Sequence, residues 1–213
     1  MTRIILTRHG ETLWNLEGRV QGAKDSPLTE RGIHQARVLG QRLKSEGIST
    51  IISSDLSRAI ATAQEIRKIL ELPEVLISSE LREISFGEWE GQAWRELRQT
   101  DPERFVLWDQ GPHQVKIPGG ESMSSVTERS WNFLLSLPVK YPGQTLCLVT
   151  HGMTLQLLIK KALGLSLEDW TNVPWQYNTA VNILDLSNDG KVNPILIADY
   201  RHLEIVKINE TED

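Results

Sequence analysis

Arg3-Ile4-Ile5-Leu6-Thr7-Arg8-His9-Gly10-Glu11-Thr12, RIILTRHGET, runs a β-branched stretch straight into an arginine, a histidine and a glycine. Arg3 to Thr7 has the residue types of a buried strand. A second apolar run, TLCLVT over Thr145 to Thr150, ends the same way, in His151-Gly152. In open α/β sheets ligands bind at the carboxyl ends of the strands. Two strands that each end in His-Gly can therefore present both imidazoles to one crevice. His9 alone reads as a capping or turn residue, and His151 alone as a satisfied core histidine; it is the repeated layout that points to chemistry.

Working outward, short β-branched runs alternate with longer amphipathic stretches, the pattern of a parallel sheet covered on both faces. Thr29 is placed to cap a helix through Ile33, Ala36, Leu39 and Leu43 that stops near Gly47. Thr50 to Ser54 reads as the second strand. Asp55 or Ser57 opens a helix through Ile60, Ala63, Ile66 and Leu70, ended by Pro73, and Val75 to Ser78 reads as the third strand. Gly87 to Gly120, rich in Trp, charge, Gly and Pro, reads as an insertion over the sheet with short helices at Trp94 to Arg98 and Pro102 to Trp108. Ser122 caps a helix to about Leu137, and another helix spans Thr154 to Leu163. TAVNILDLS, NDG and NPILIADY read as a closing hairpin. The expectation is an α/β fold in one domain over 1–207, with the insertion at about 87–120 and an acidic, disordered tail over 208–213.

Composition narrows the function. The chain has 213 residues, 39% hydrophobic and 24% charged, with net charge −5. No apolar stretch is long enough for a bilayer and no run is rich in Lys or Arg, so neither membrane nor nucleic acid is an expected partner. The chain opens without a secretory-type apolar segment, which makes the cytoplasm the expected location. The lone Cys147, inside TLCLVT, reads as a buried small hydrophobe.

An anionic substrate then needs a local cationic pocket. Arg8 precedes His9, and Arg58 falls on the first turn of the second helix, where backbone N–H groups already favour an anion. Guanidinium groups grip phosphate oxygens in a bidentate way. The sequence holds no G-x-x-x-x-G-K-[ST], no G-x-G-x-x-G and no Asp-x-Asp, and its histidines lack metal-ligand spacing. Histidine remains as the nucleophile.

The ordered stretches TRHGETLWN (Thr7 to Asn15), Gln21-Gly22, DSPLTERG (Asp25 to Gly32), SSDLSRA (Ser53 to Ala59), LREISFGEWEG (Leu81 to Gly91), PGGES (Pro118 to Ser122) and VTHG (Val149 to Gly152) resemble the motifs of the histidine phosphatase superfamily, the phosphoglycerate mutase-like family. That resemblance implies a three-layer α/β/α sandwich with a Rossmann-like, mostly parallel sheet. It also implies phosphoryl transfer through a phosphohistidine with no metal and no cofactor. Residue by residue it makes His9 the nucleophile and assigns the phosphoryl oxygens to Arg8, Arg58 and His151. Asn15, Gln21, Gly22 and Gly152 complete the phosphate site.

Glu83 becomes the general acid, with Glu88 and Glu90 as rivals nearby; apolar Ile84, Phe86 and Trp89 are placed to desolvate its carboxyl. Trp89, Trp94 and Trp108 either roof the pocket or pack in the core. Trp14, Trp131 and Trp170 are assigned to packing, and His34, His113 and His202 to no chemistry.

Within the resemblance, the insertion is shorter than that of cofactor-dependent phosphoglycerate mutases and lacks their basic, proline-rich segment. Met153 stands where those mutases carry asparagine. Both departures, with PGGES, favour the broad-specificity and α-ribazole-phosphate phosphatases of bacteria. The expected substrate is a small phosphorylated metabolite. A phosphoglycerate mutase is the first alternative, and a non-catalytic phosphoester- or protein-binding member of the fold the second. Oligomeric state is left open.

Overall fold

The computed structural model describes residues 1–170 and 172–203; the acidic tail lies outside them. In chain order the principal elements are β1 (Thr2–Arg8), α1 (Leu13–Leu16), α2 (Glu30–Leu43), β2 (Ile48–Ser53), α3 (Ser57–Leu70), β3 (Val75–Ile77), α4 (Trp94–Thr100), α5 (Pro102–Gln110), α6 (Met123–Lys140), β4 (Thr145–Thr150), α7 (Gly152–Ala162), β5 (Val181–Leu186) and β6 (Val192–Asp199). The strands form one sheet in the order β3-β2-β4-β1-β5-β6. The first four are parallel, while β5 and β6 are antiparallel and close the sheet as a hairpin.

Strand periodicity divides the core into two layers. Ile4, Leu6, Leu146 and Leu148 face α6 and α7, against Leu134, Leu137, Leu155 and Ile159. Ile5, Ile51, Cys147 and Val149 face α2 and α3, against Leu39, Leu43, Ala63 and Ile66. This is the three-layer α/β/α arrangement. Burial pushes the Cys147 thiol up to about 12, so it carries no thiolate at neutral pH.

A third cluster belongs to the insertion, where Phe86, Trp89, Leu97 and Phe105 meet Met123, Val126, Met153 and Leu157. The helices α4 and α5 stand where the local pattern puts them.

α3 opens at Ser57, one of the two openings expected; the Ser57 N–H donates to Asp25 from another loop, while Asp55 pairs with Arg82 at 2.6 Å. One helix end differs from expectation. α6 runs through Pro138 to Lys140, because a proline in the last turn gives up only one late hydrogen bond.

The β1–β4 register pairs Arg8 with Thr150, so the two His-Gly steps leave the sheet side by side. His9 N–H donates to the Thr150 carbonyl at 3.0 Å. Gly10 sits hard against the Gly32 backbone, where a Cβ would overlap the carbonyl. Close approach, and not a left-handed turn, is what requires glycine there.

Candidate active site

The residues nominated by the sequence meet at the carboxyl edge of β2, β4 and β1. The His9 and His151 ring centroids lie 5.3 Å apart, and both side chains are buried. His9 Nδ1 is 2.7 Å from the Gly10 carbonyl. A carbonyl only accepts, so Nδ1 carries the proton and Nε2 presents its lone pair. Arg58 Nε donates to that Nε2 at 3.3 Å. Burial, then the positive charges of Arg58 and Arg8, hold His9 well below the usual histidine range, keeping it neutral. His151 is held down in the same way, by burial first and Arg58 second. Its Nε2 pairs with Ser54 Oγ at 2.7 Å, while Nδ1 is buried without a partner.

Arg58 is 1% exposed and fixed on every side: Nη1 donates to the Lys24 carbonyl and Asp25 Oδ1, and Nη2 to the Gly22 carbonyl. Gly22 has φ +56, and a Cβ there would collide with the Glu90 carboxylate. Arg8 donates Nη1 to the Gln176 carbonyl, and its Nε is buried and unpaired. Burial draws Arg8 down to about 10, which leaves it charged at neutral pH. Gly152 lies against this guanidinium: a Cβ there would stand in ordinary contact, 3.4 Å from Arg8 Cζ and 3.7 Å from Glu83 Oε2.

Ile84, Phe86 and Trp89 belong to the apolar cluster of the insertion, while the Glu83 carboxylate sits on the N-terminus of α7, which starts at Gly152. Oε2 accepts from Met153 N–H, and Oε1 from Ile84 N–H, Thr154 N–H and the Thr154 hydroxyl. Its rivals point elsewhere. Glu90 accepts from Ala23 and Phe86 N–H, tying the 21–24 loop to the insertion, and Glu88 is an exposed partner of Arg104.

Arg8, His9, Asn15, Gln21, Gly22, Arg58, Glu83 and Gly152 line one cavity of about 330 Å³; His151 is not among its lining residues but its ring lies 5.3 Å from that of His9. Asn15 Oδ1 is taken by Thr12 N–H and Asn178 Nδ2, while Gln21 Oε1 is buried and unpaired. Trp94 and Trp108 roof the cavity and also pack on Phe86; Trp89 only packs. Trp170, assigned to packing, lines the cavity as well.

Sequence reasoning missed several supports. Ser54 could have been placed from its position at the end of β2. Asn178, which donates to the His9 carbonyl at 2.8 Å, carries no local signal. Nor does Arg129, which reaches from α6 to the carbonyls of Glu80, Arg82 and Glu83 and to the Glu121 carboxylate.

The neutral histidines have a thermodynamic consequence. Unfolded histidines titrate near 6.5, whereas His9 and His151 resist protonation in the fold and His202, buried beside Thr179, is drawn down to about 4. Below pH 6.5 the unfolded chain binds protons that the folded one refuses, so stability is lost as pH falls from there. Urea unfolding is expected to show stability dropping between pH 7 and 5, by up to about 1.4 kcal/mol per pH unit for each such histidine. His202→Gln should flatten that slope by one proton's share; an unchanged slope would remove His202 from the account.

A sequence profile of the Histidine phosphatase superfamily (branch 1) matches residues 4–194. Phosphoserine phosphatase 1 of Hydrogenobacter thermophilus is 38% identical over 211 residues, covering 99% of this chain and 93% of that one. A Probable phosphoglycerate mutase GpmB of Cronobacter sakazakii is 41% identical over 168 residues, covering 78% and 76%. The solved structure of Bacillus stearothermophilus YhfR superposes with a TM-score of 0.90 at 36% identity, over 95% of this chain and all of that one. Fold, motif order and relatives agree: the chain belongs to branch 1 of the histidine phosphatase superfamily and is a phosphatase.

Proposed function

We propose that the chain hydrolyses small phosphomonoesters without a metal ion, through a phosphohistidine on His9. The observation that carries this is the lone pair of His9 Nε2, which faces the cavity because Nδ1 is tied to Gly10 O and which accepts one long contact, from Arg58 Nε at 3.3 Å. Nε2 attacks phosphorus in line and the P–O bond to the alcohol breaks. Arg8, Arg58 and His151 Nδ1 hold the phosphoryl oxygens. Asn15 contributes its amide N–H groups, and the backbone at Gln21-Gly22 and Gly152 borders the group. Positioning and charge stabilisation supply most of the acceleration in such a transfer.

Glu83 moves the proton. A phosphomonoester titrates near pH 6, so its monoanion can bring a proton that the neighbouring carboxylate passes to the departing alkoxide. In the second half the carboxylate takes a proton from water as it attacks phosphorus, and the P–N bond breaks. Glu83→Gln is expected to lower kcat on alkyl esters by about 10²–10⁴-fold. With 2,4-dinitrophenyl phosphate, whose leaving group needs no proton, kcat/KM should change by less than about tenfold, and a burst of one dinitrophenolate per enzyme should mark a stalled phosphoenzyme. Equal losses on both substrates would take the acid role from Glu83.

The mutase reading is supported by relatives such as the GpmB protein. Beyond Arg8 and Arg58, the described lining adds one cation, Arg19, and a bisphosphorylated acid needs more. The deciding assay follows phosphate release in EDTA from a panel that includes O-phosphoserine and 3-phosphoglycerate, with and without 2,3-bisphosphoglycerate. Rapid 2-phosphoglycerate formation with little free phosphate would overturn the hydrolase. No acid-labile ³²P on the wild type with any donor would leave a binding protein.

A further inference from the structure

Ser54 and His151 leave neighbouring strands at the same height of the sheet. The β2–β4 register sets Ser53 against Val149, and the Ser54 N–H donates to the Val149 carbonyl at 2.9 Å. Residue 54 therefore emerges from β2 beside the His151 that follows β4, and both residues are fully buried. We infer, on the reading of the site as a phosphatase, that Ser54 is a positioning residue for the transfer: its hydroxyl holds the His151 proton on Nδ1, so that this nitrogen meets the phosphoryl oxygens as a donor.

The hydroxyl hydrogen decides the tautomer. Ser54 Oγ has one hydrogen to give and two lone pairs. It accepts from the Leu56 N–H at 3.3 Å, and the hydrogen bonds of the described residues give its own hydrogen one acceptor, His151 Nε2 at 2.7 Å. Burial and the positive charge of Arg58 keep His151 neutral, so the ring bears a single proton. A hydroxyl that donates to Nε2 needs a lone pair there, which leaves that proton on Nδ1. In the opposite tautomer Nε2 is itself a donor and the buried hydroxyl hydrogen has no acceptor, which is costly.

The surroundings of Nδ1 show what this tautomer is for. Nδ1 is buried without a partner in the protein, and its ring lies 5.3 Å from that of the nucleophile. An N–H at this point adds to Arg8 and Arg58 in holding the phosphoryl oxygens, whereas a lone pair would repel them. Ser54 is absent from the cavity lining and so acts through His151. Its backbone is pinned at both ends, the N–H by Val149 and the carbonyl by the Ser53 hydroxyl at 2.8 Å, which keeps Oγ aimed at the imidazole.

The test reads the tautomer directly, by long-range ¹H–¹⁵N correlation on the full chain labelled with ¹⁵N-histidine at neutral pH, with the His151 signals identified by their loss in His151→Gln. Wild type should show the His151 proton on Nδ1. Ser54→Ala removes the hydrogen that enforces this, and a large share of the proton should move to Nε2. The kcat/KM of Ser54→Ala should fall by about 10–10²-fold, the scale seen when the group that orients a metal-bound histidine is removed, and vanadate affinity should fall with it. Ser53→Ala deletes an equally buried hydroxyl bond at the same strand end without touching His151. It should keep the Nδ1 proton and most of the rate, which separates tautomer control from a merely structural loss. If no ester is hydrolysed and no phosphoenzyme forms, the phosphatase reading fails while the tautomer and vanadate arms still report on Ser54, with the same order of variants expected. A wild-type proton on Nε2, an unmoved proton in Ser54→Ala, or a Ser54→Ala protein no weaker than Ser53→Ala in the arm that reads out overturns the proposal.

Discussion

His9→Ala is expected to lower kcat by roughly 10⁴–10⁶-fold, the usual scale for loss of a nucleophile, and to abolish acid-labile phosphoenzyme. Two features concentrate the effect on chemistry. The Nε2 lone pair has no substitute in the described cavity lining: Cys147 is buried in the core with its thiol pushed up to about 12, and Ser54 is committed to His151. Anion binding should survive, because Arg8 and Arg58 take no support from His9 beyond one 3.3 Å contact. Vanadate, which matches the in-line geometry, should lose far more affinity than plain phosphate. Residual turnover within tenfold of wild type would refute a covalent route on this residue.

Arg58→Met should cost nearly as much in rate, about 10³–10⁵-fold by analogy with other guanidinium groups that meet phosphoryl charge, and should also weaken the fold. The side chain satisfies the Gly22 and Lys24 carbonyls and the Asp25 carboxylate from a position 1% exposed. The buried Gly22 carbonyl, left without its partner, costs about 1–3 kcal/mol, so the midpoint of thermal unfolding should drop by several degrees. Because Arg58 is the largest charge holding His9 down, its removal lets His9 protonate more easily. The acid limb of kcat/KM in the variant should therefore move to higher pH. A limb that stays in place, or moves to lower pH, would mean that His9 does not set it.

The floor of the site was legible because it depends on strand periodicity. Ile4 to Leu6 and Leu146 to Val149 declare their strands, and each ends in His-Gly, so parallel pairing alone brings the imidazoles together. Arg58 was legible as the first turn after β2. What was not legible depends on contacts far apart in sequence. The environment of Glu83 comes from α7, some seventy positions on, and its supports from Arg129 and Glu121 on the far side of the insertion. No local pattern announces that a loop tryptophan such as Trp170 or Trp175 turns toward the cavity, since loops have no period to read. The sequence leaves Asp55 and Ser57 both open as the start of α3 for the same reason: Asp55, a capping residue type at a capping position, is claimed by Arg82 from another segment.

The three hydrophobic clusters give the enzyme two separately packed parts. The histidines rise from strands whose side chains are shared between the two sheet-facing clusters, while the aromatic roof draws its packing from a cluster of its own that joins the rest mainly through Met123, Val126, Met153 and Leu157. Substitutions in the roof perturb few residues on which the nucleophile's placement depends. A side chain exchanged in the roof thus leaves the packing beneath the two histidine-bearing strands in place.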